Sequence, residues 1–511
     1  MKRTESSVKN LMFAFGGQFV GLIVSYIARI FFIQFLNSEY LGLNGLFTNI
    51  LTMLSLVEVG IGPAMSFSLY KPLAQKNTEL IKSLMRLYKK AYIVIGILVL
   101  TLGAGITPLL PYIISDMPDI PEINLIYLLF VVNTAVSYFY SYKRSLIISD
   151  QQRYIATIYR YGFYIALNVF QIILLAVTKN YILYLLAQIL FTWLENFFVS
   201  LKANRMYPYL KEKRVEKLSE EVLTDIKRNV FAMVFHKIGG VIISAVDSVI
   251  ISKMVGLVAV GIYSNYQLII QAIHTVLSQL YNSIIASIGN LSATEGSKKM
   301  ESILDKTLFV TFWIYGFCSI ALFVLLQPFI GLSFGNEFMF SMPIVISIII
   351  QFYFTGIRKA VLAFRDATGA YWYDRYKPLF EVAIKLIVSI WLAKEFGVAG
   401  VMYGTVIAFL LTGFWVEPYV LYKYILHSKL SSYFKQFALY TLIIIATGAI
   451  TFGVCLLIPG SSWLGLILRG IVCCILPNLI FFLLSFKTEN FQYFKGLLVS
   501  MLHKLKQIKK K

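Results

Sequence analysis

Apolar residues fill this chain in long runs, each long enough to cross a bilayer and each closed by a short cluster of charge. At about 20 apolar residues per crossing, the pattern predicts about fourteen helical spans. They cover 11–35, 44–69, 89–114, 124–148, 155–177, 181–203, 230–252, 257–287, 305–330, 341–363, 377–393, 398–422, 435–458 and 464–486. The predicted class is an all-α polytopic membrane protein.

Charge gives the direction of threading. Cytoplasmic loops hold the excess of Lys and Arg, and here alternate connections carry them: Lys71 to Lys90, Lys143 to Arg153, Lys202 to Arg228, Lys298 and Lys299, Arg358 to Lys377, Lys423 to Lys435, and the terminal lysines. The other connections hold only Lys179, Lys253 and Lys394, with Asp116, Asp119 and Glu122 between the third and fourth spans. Both termini are therefore expected inside. The outer connections are too short for a folded external domain. The inner segment 204–229 reads as an amphipathic helix at the inner surface, and the tail 487–511, apolar at helical spacing among lysines, as either a headgroup-bound or a solvated basic end.

Composition agrees. Of 511 residues, 58% are hydrophobic and 14% charged, with mean hydropathy +0.75, which no water-soluble surface accommodates. The net charge of +21 then follows from loop asymmetry rather than from binding nucleic acid, and no nucleic-acid partner is expected. Cys318, Cys455, Cys473 and Cys474 lie in apolar runs without metal-ligand spacing, so disulfide and zinc roles are not expected. MKRTESSVKN leads into an apolar run longer than a signal h-region, so the first helix is expected to stay. No P-loop, zinc-helix motif or large loop with paired aspartates is present, and neither cofactor nor metal is predicted.

An internal repeat divides the chain. FLNSEYLGLNGLFTNIL and KMVGLVAVGIYSNYQLI set Gly42 on Gly261, while TWLEN and FWVEP set Trp193 on Trp415 and Glu195 on Glu417, both at an offset of about 220 residues. The expected organisation is two six-helix bundles, 1–203 and 230–424, joined by the linker 204–229 and followed by helices 13 and 14 over 425–486 and the tail 487–511.

Several segments resemble one family: FHKIGGVIISAVDSVIIS followed by VGLVAVGIYSNYQ, VEVGIGPAMSFSLYKPLA, KRSLIISDQQRYI, and FRDATGAYWYDRYKP with the following Glu381. These are similar, in the same order, to bacterial oligosaccharide flippases, the Wzx-type translocators of the multidrug/oligosaccharidyl-lipid/polysaccharide exporter superfamily. The resemblance implies alternating access that turns undecaprenyl-pyrophosphate-linked repeat units to the outer leaflet of the bacterial cytoplasmic membrane for surface polysaccharide. It implies a lipid-linked oligosaccharide and the bilayer as partners, with the polymerase and glycosyltransferases of the pathway nearby. Lys385 departs from the neutral polar residue expected. An ion-coupled multidrug exporter of the same superfamily stays open, as does a membrane glycosyltransferase or polymerase, although the latter lacks its outer catalytic loop here.

Candidate site residues are the charges sunk in apolar runs, each costing roughly 2.5–3.5 kcal/mol at a span centre unless a cavity or partner receives it. Arg29 shares a helix face with Gln18, Ser25 and Tyr26 and either clamps a pyrophosphate oxygen or snorkels to headgroups. Lys237 either serves the anionic lipid or pairs with a carboxylate such as Glu58. Glu58, before Gly60-Ile61-Gly62-Pro63 that should break the second span, either carries a coupling proton or neutralises a cation; Asp247 has the same two readings, and His236 is a titrating candidate. Glu381 and Lys385, four apart, suit an intrahelical pair. Arg358, Lys359, Arg365 and Arg375 cluster at the inner mouth, where they attract an incoming pyrophosphate or simply obey the charge rule. Glu195 and Glu417 are expected to fasten the inner ends of their bundles.

Overall fold

The computed structural model describes residues 3–58, 61–115, 118, 120–212, 215–294, 296–368, 370 and 373–496. Among them every regular element is helical. The helices are α1 (Arg3–Phe35), α2 (Ser38–Leu54), α3 (Ile61–Gln75), α4 (Thr78–Ile106), α5 (Leu110–Ile113), α6 (Ile123–Tyr138), α7 (Ser141–Ser149), α8 (Arg153–Thr178) and α9 (Tyr181–Met206), followed by α10 (Glu220–Met254), α11 (Leu257–Thr294), α12 (Ser297–Phe334), α13 (Met342–Thr368), α14 (Lys377–Leu411), α15 (Gly413–Leu421), α16 (Leu430–Leu456) and α17 (Trp463–Ser485).

Ten helices among the described residues are long and apolar enough to cross a membrane, or eleven if the bent pair α6 and α7 counts as one span. Helices of this kind satisfy every backbone group internally, which is what a bilayer demands, and the chain is a multi-pass membrane protein. The expected fourteen are not reached on this criterion. The seventh and eighth expected spans, α10 and α11, are helices some of whose side chains lie outside those described, and neither is among the ten. The eleventh and twelfth fall in one helical stretch, Lys377–Leu426, which turns back at Gly397, where φ is 54°. Ser389 Oγ then donates to the Val401 carbonyl at 3.2 Å, across the turn. A positive φ of this kind costs glycine nothing.

The second expected span is broken. α2 gives way to a 3₁₀ turn over Ser55–Glu58 and α3 begins at Ile61, as the glycine-proline run predicts. Where the charged segment 204–229 is expected as one surface helix, the structure has a 3₁₀ turn at Pro208–Lys211, a non-helical stretch, and the first turns of α10. The reason lies in α4. Lys82 Nζ meets Glu79 and Glu212, each at 2.6 Å, and Ser83 Oγ donates to the Glu216 carbonyl at 2.8 Å. Leu210, Leu218, Val222 and Ile226 pack beside Met85, Tyr88 and Tyr92. Burying those apolar side chains and meeting those polar groups outweighs the propensity for an independent helix.

Close contacts divide the chain into two compact units, 1–264 and 265–511. This division falls inside α11, so α10 and the start of α11, expected with the second bundle, join the first unit. In the second unit α16 and α17 lie against α12: the Phe312 and Tyr440 rings stack at 4.3 Å, and Trp313 Nε1 donates to Asn478 Oδ1 at 2.7 Å. The tail begins as a helix over 489–496 whose Phe491 and Phe494 meet Trp313 and Phe309. Residues 497–511 lie outside the described residues.

Candidate functional site

In the first unit the polar face predicted on α1 finds its partners one after another. Gly17 and Gly21 bring α1 close to the Tyr161 ring of α8. Tyr161 then donates its hydroxyl to Gln18 Oε1 at 3.1 Å, and Ser25 Oγ and Tyr164 Oη share a hydrogen bond of 2.5 Å. One turn beyond Ser25, Arg29 donates through one terminal nitrogen to the Ser264 carbonyl at 3.1 Å and to Ser264 Oγ at 2.9 Å. Its Nε is buried and has no acceptor among the described residues, and no ion pair to Arg29 is found among them. A guanidinium has five donors in a rigid fork; here neutral oxygens of α11 hold it at one corner.

What brings α11 there is a glycine crossing. A Cβ on Gly42 would lie 2.2 Å from the Leu257 carbonyl oxygen, and one on Gly261 would lie 2.7 Å from the Ser38 carbonyl oxygen. Each glycine thus touches the residue four places before the other. The contact is self-complementary between the two positions that the repeat aligns. Gly45, one turn further along α2, faces Val260 and Ser264, and Asn49 Nδ2 donates to Ser248 Oγ of α10 at 2.8 Å. Small residues let helix backbones meet where lipid gives no hydrophobic drive.

Glu58 stands apart from Arg29. Tyr92 donates its hydroxyl to Glu58 Oε1 at 3.0 Å. The Tyr92 phenol therefore holds the carboxylate at the broken end of α2, and no cation pairs with it among the described residues. Asp247 is buried on α10 and is not without a partner. His236 and Lys237 lie on α10, but their side chains are outside those described.

The second unit handles its charges differently. Arg358 on α13 is held by Glu417 of α15, with Nε at 2.9 and 2.8 Å from the two carboxylate oxygens, and by Glu381 of α14 at 3.1 Å. Lys377 meets the same Glu417 and lies 3.0 Å from Glu381. Arg365 meets Asp374 at 2.8 Å and Asp366 at 2.9 Å. Arg358 and Arg365, for which the sequence left open attraction of an incoming anion or simple obedience to the charge rule, are engaged by carboxylates that the helices bring to them. Arg375 lies over the Tyr376 ring at 4.7 Å, and Lys359 is half-buried on α13 beside Arg358. Glu381 pairs one turn back with Lys377 and across to Arg358; Lys385, one turn on, is fully buried and has a partner of its own. Glu195 in the first unit is paired with Arg144, which also donates to Asn196 Oδ1 at 3.0 Å. The two glutamates that the repeat aligns therefore each bind an arginine.

Sequence reasoning missed Ser264, Tyr161 and Tyr164. Ser264 carried a signal, since the offset that sets Gly261 on Gly42 sets Ser264 on Gly45, both small residues at a crossing.

No protein-family profile matches the chain, and no curated protein does. Among solved structures, the chain is similar to the lipid II flippase MurJ in an inward closed conformation, with a TM-score of 0.67 and 14% identity over 93% of this chain and 98% of that one. It is also similar to a multidrug resistance MATE family transporter of the MOP superfamily, inward-facing, at a TM-score of 0.60 and 15% identity over 76% and 91%. A third, a single-residue mutant of the Vibrio cholerae MATE transporter VcmN, has a TM-score of 0.55 and 12% identity over 84% and 99%. These likenesses, nearly the full length of each solved chain, place this protein in the fold shared by the lipid II flippase and the MATE transporters.

Proposed function

We propose that this protein is a flippase that carries undecaprenyl-pyrophosphate-linked oligosaccharide repeat units from the inner to the outer leaflet of a bacterial cytoplasmic membrane, for surface polysaccharide. The observation that carries this reading is Arg29: a cation inside an apolar helix, tethered to a serine and met by no carboxylate among the described residues. A permanent charge so placed suits an anion that arrives and leaves, because a resident carboxylate would compete for it. The pyrophosphate meets Arg29 and Gln18, with Lys237 and Lys385 as further cavity candidates, while the polyprenyl chain stays in lipid. Two six-helix bundles, N-in and C-in, with helices 13 and 14 appended, alternate about the site. The self-complementary meeting of Gly42 and Gly261 supports such a repeat. Glu58, Asp247 and His236 are the candidates for ion coupling.

The test is a deletion strain lacking redundant translocators. Lipid-linked repeat units should accumulate in its inner leaflet and surface polysaccharide should be lost, both restored by the wild-type gene. Normal polysaccharide in that strain removes the proposal. A second reading, an ion-coupled multidrug exporter, is favoured by the likeness to the MATE transporters. Hypersensitivity to cationic drugs in the deletion strain, with polysaccharide unchanged, would decide for it.

A further inference from the structure

Within the second unit, most sides of the middle of α13 are packed. Phe352 lies against the His274 ring of α11, with ring centres 4.7 Å apart, and the Tyr315 ring of α12 fills the space that a Cβ on Gly356 would need. Tyr353 Oη and Thr441 Oγ1 of α16 share a hydrogen bond of 2.8 Å. Phe354 meets Phe409 of α14 at 5.6 Å, and Arg358 is bound by Glu417 of α15. One side is left open. Gln351, Thr355 and Lys359 recur along it every four residues and so stand one above another on the helix; Thr355 is exposed and the other two are half-buried.

None of the three side chains has a hydrogen bond or ion pair among the described residues. Threonines elsewhere in this unit turn their hydroxyls back to a carbonyl of their own helix, as Thr307, Thr311, Thr441 and Thr451 do at 2.8, 2.7, 2.8 and 2.8 Å. Thr355 makes no such bond. An amide, a hydroxyl and an ammonium facing acyl chains would each give up water with nothing in return, so the open side of α13 meets something polar. Its charge is set by Lys359. Between Gln351 and Lys359 the helix carries no acidic residue, while Glu417 and Glu381 are engaged by Arg358, and Asp366 and Asp374 by Arg365.

We infer that this stripe binds the sugar of the lipid-linked cargo, with Gln351 and Thr355 exchanging hydrogen bonds with its hydroxyls. A glutamine amide offers donors and an acceptor on one plane, and a threonine hydroxyl both donates and accepts, the mixture that a row of sugar hydroxyls requires. From Gln351 to Lys359 the helix rises about 12 Å, long enough for a short glycan. Lys359 at the end of the row repels a cationic ligand and suits the phosphate that a lipid-linked sugar carries. The inference rests on the flippase reading and assigns to α13 the recognition of that part of the cargo in which one repeat unit differs from another, since a site built to bond a hydroxyl rejects a ligand that lacks it.

The full chain, purified in detergent, is offered two probes and read by native mass spectrometry: bare undecaprenyl pyrophosphate, and the lipid-linked oligosaccharide extracted from the deletion strain. Wild type should retain both and prefer the second. Gln351→Leu with Thr355→Val should weaken retention of the glycosylated probe about thirtyfold, since each hydrogen bond removed counts for roughly fivefold, and leave retention of the bare probe as it is. Thr355→Val alone, at an exposed position, should lose about fivefold and carries the test where the double variant does not fold. Thr355→Ser keeps the hydroxyl and should behave as wild type. Undiminished retention of the glycosylated probe in the variants, an equal loss of both probes, or no preference between them in wild type would each overturn the assignment and leave the flippase reading standing. Absence of the glycosylated lipid from the deletion strain, or retention of neither probe, removes that reading and this inference with it.

Discussion

Arg29 in the first unit and Arg358 in the second are both guanidinium groups inside long apolar helices, and their surroundings are opposite. Arg358 is gripped by Glu417 and Glu381, with Lys377 completing the set. Arg29 has one serine, two neutral oxygens, and a buried nitrogen without an acceptor among the described residues. A cation fastened by carboxylates fixes helices to one another, and one held by neutral dipoles keeps its charge available. The difference separates an architectural arginine from one suited to a visiting anion, which sequence position alone does not do.

The comparison is broken most forcefully at Arg358. Arg358→Ala leaves two buried carboxylates short of a cation, and breaking a buried pair costs about 3–5 kcal/mol. Little folded protein should reach the membrane, and the solubilised remainder should melt well below wild type. Glu417→Gln added to it should recover part of the loss by removing one stranded charge. A stable Arg358→Ala protein would end the architectural reading.

Arg29→Ala should do the reverse: near-normal membrane levels and melting, but failure to restore surface polysaccharide in the deletion strain. Arg29→Lys sharpens this, because an ammonium keeps the charge and loses the fork. Partial complementation is expected, and full complementation would remove two-point binding. Arg144→Leu strands only the less buried Glu195, so melting should fall by an amount equivalent to about 1–3 kcal/mol, less than for Arg358. The smallest effect belongs to Ser264→Ala. It deletes one hydroxyl acceptor worth about 0.5–1.5 kcal/mol while the backbone carbonyl keeps hold of Arg29, so melting should fall by no more than that and transport should drop severalfold.

Much of this was legible in the chain. Apolar run lengths marked the helices, Gly60-Ile61-Gly62-Pro63 marked the break after Glu58, and the aligned pairs Gly42 with Gly261 and Glu195 with Glu417 each led to a contact. The partners of the inner-mouth arginines were not legible. Glu381 and Glu417 lie 23 and 59 residues from Arg358, and nothing in local spacing announces a pair that forms only when three helices meet. The docking of 204–229 was hidden for a related reason: its amphipathic period is the same whether a protein face or a lipid surface takes the apolar side.

The meeting of Gly42 with Gly261 also sets how rigidly a charge is held elsewhere. Each glycine lies against the other helix's carbonyl oxygen, so a methyl group at either position would wedge α2 and α11 apart and carry Ser264 away from the guanidinium it anchors. Two missing side chains thereby govern the grip on an arginine that touches neither of them.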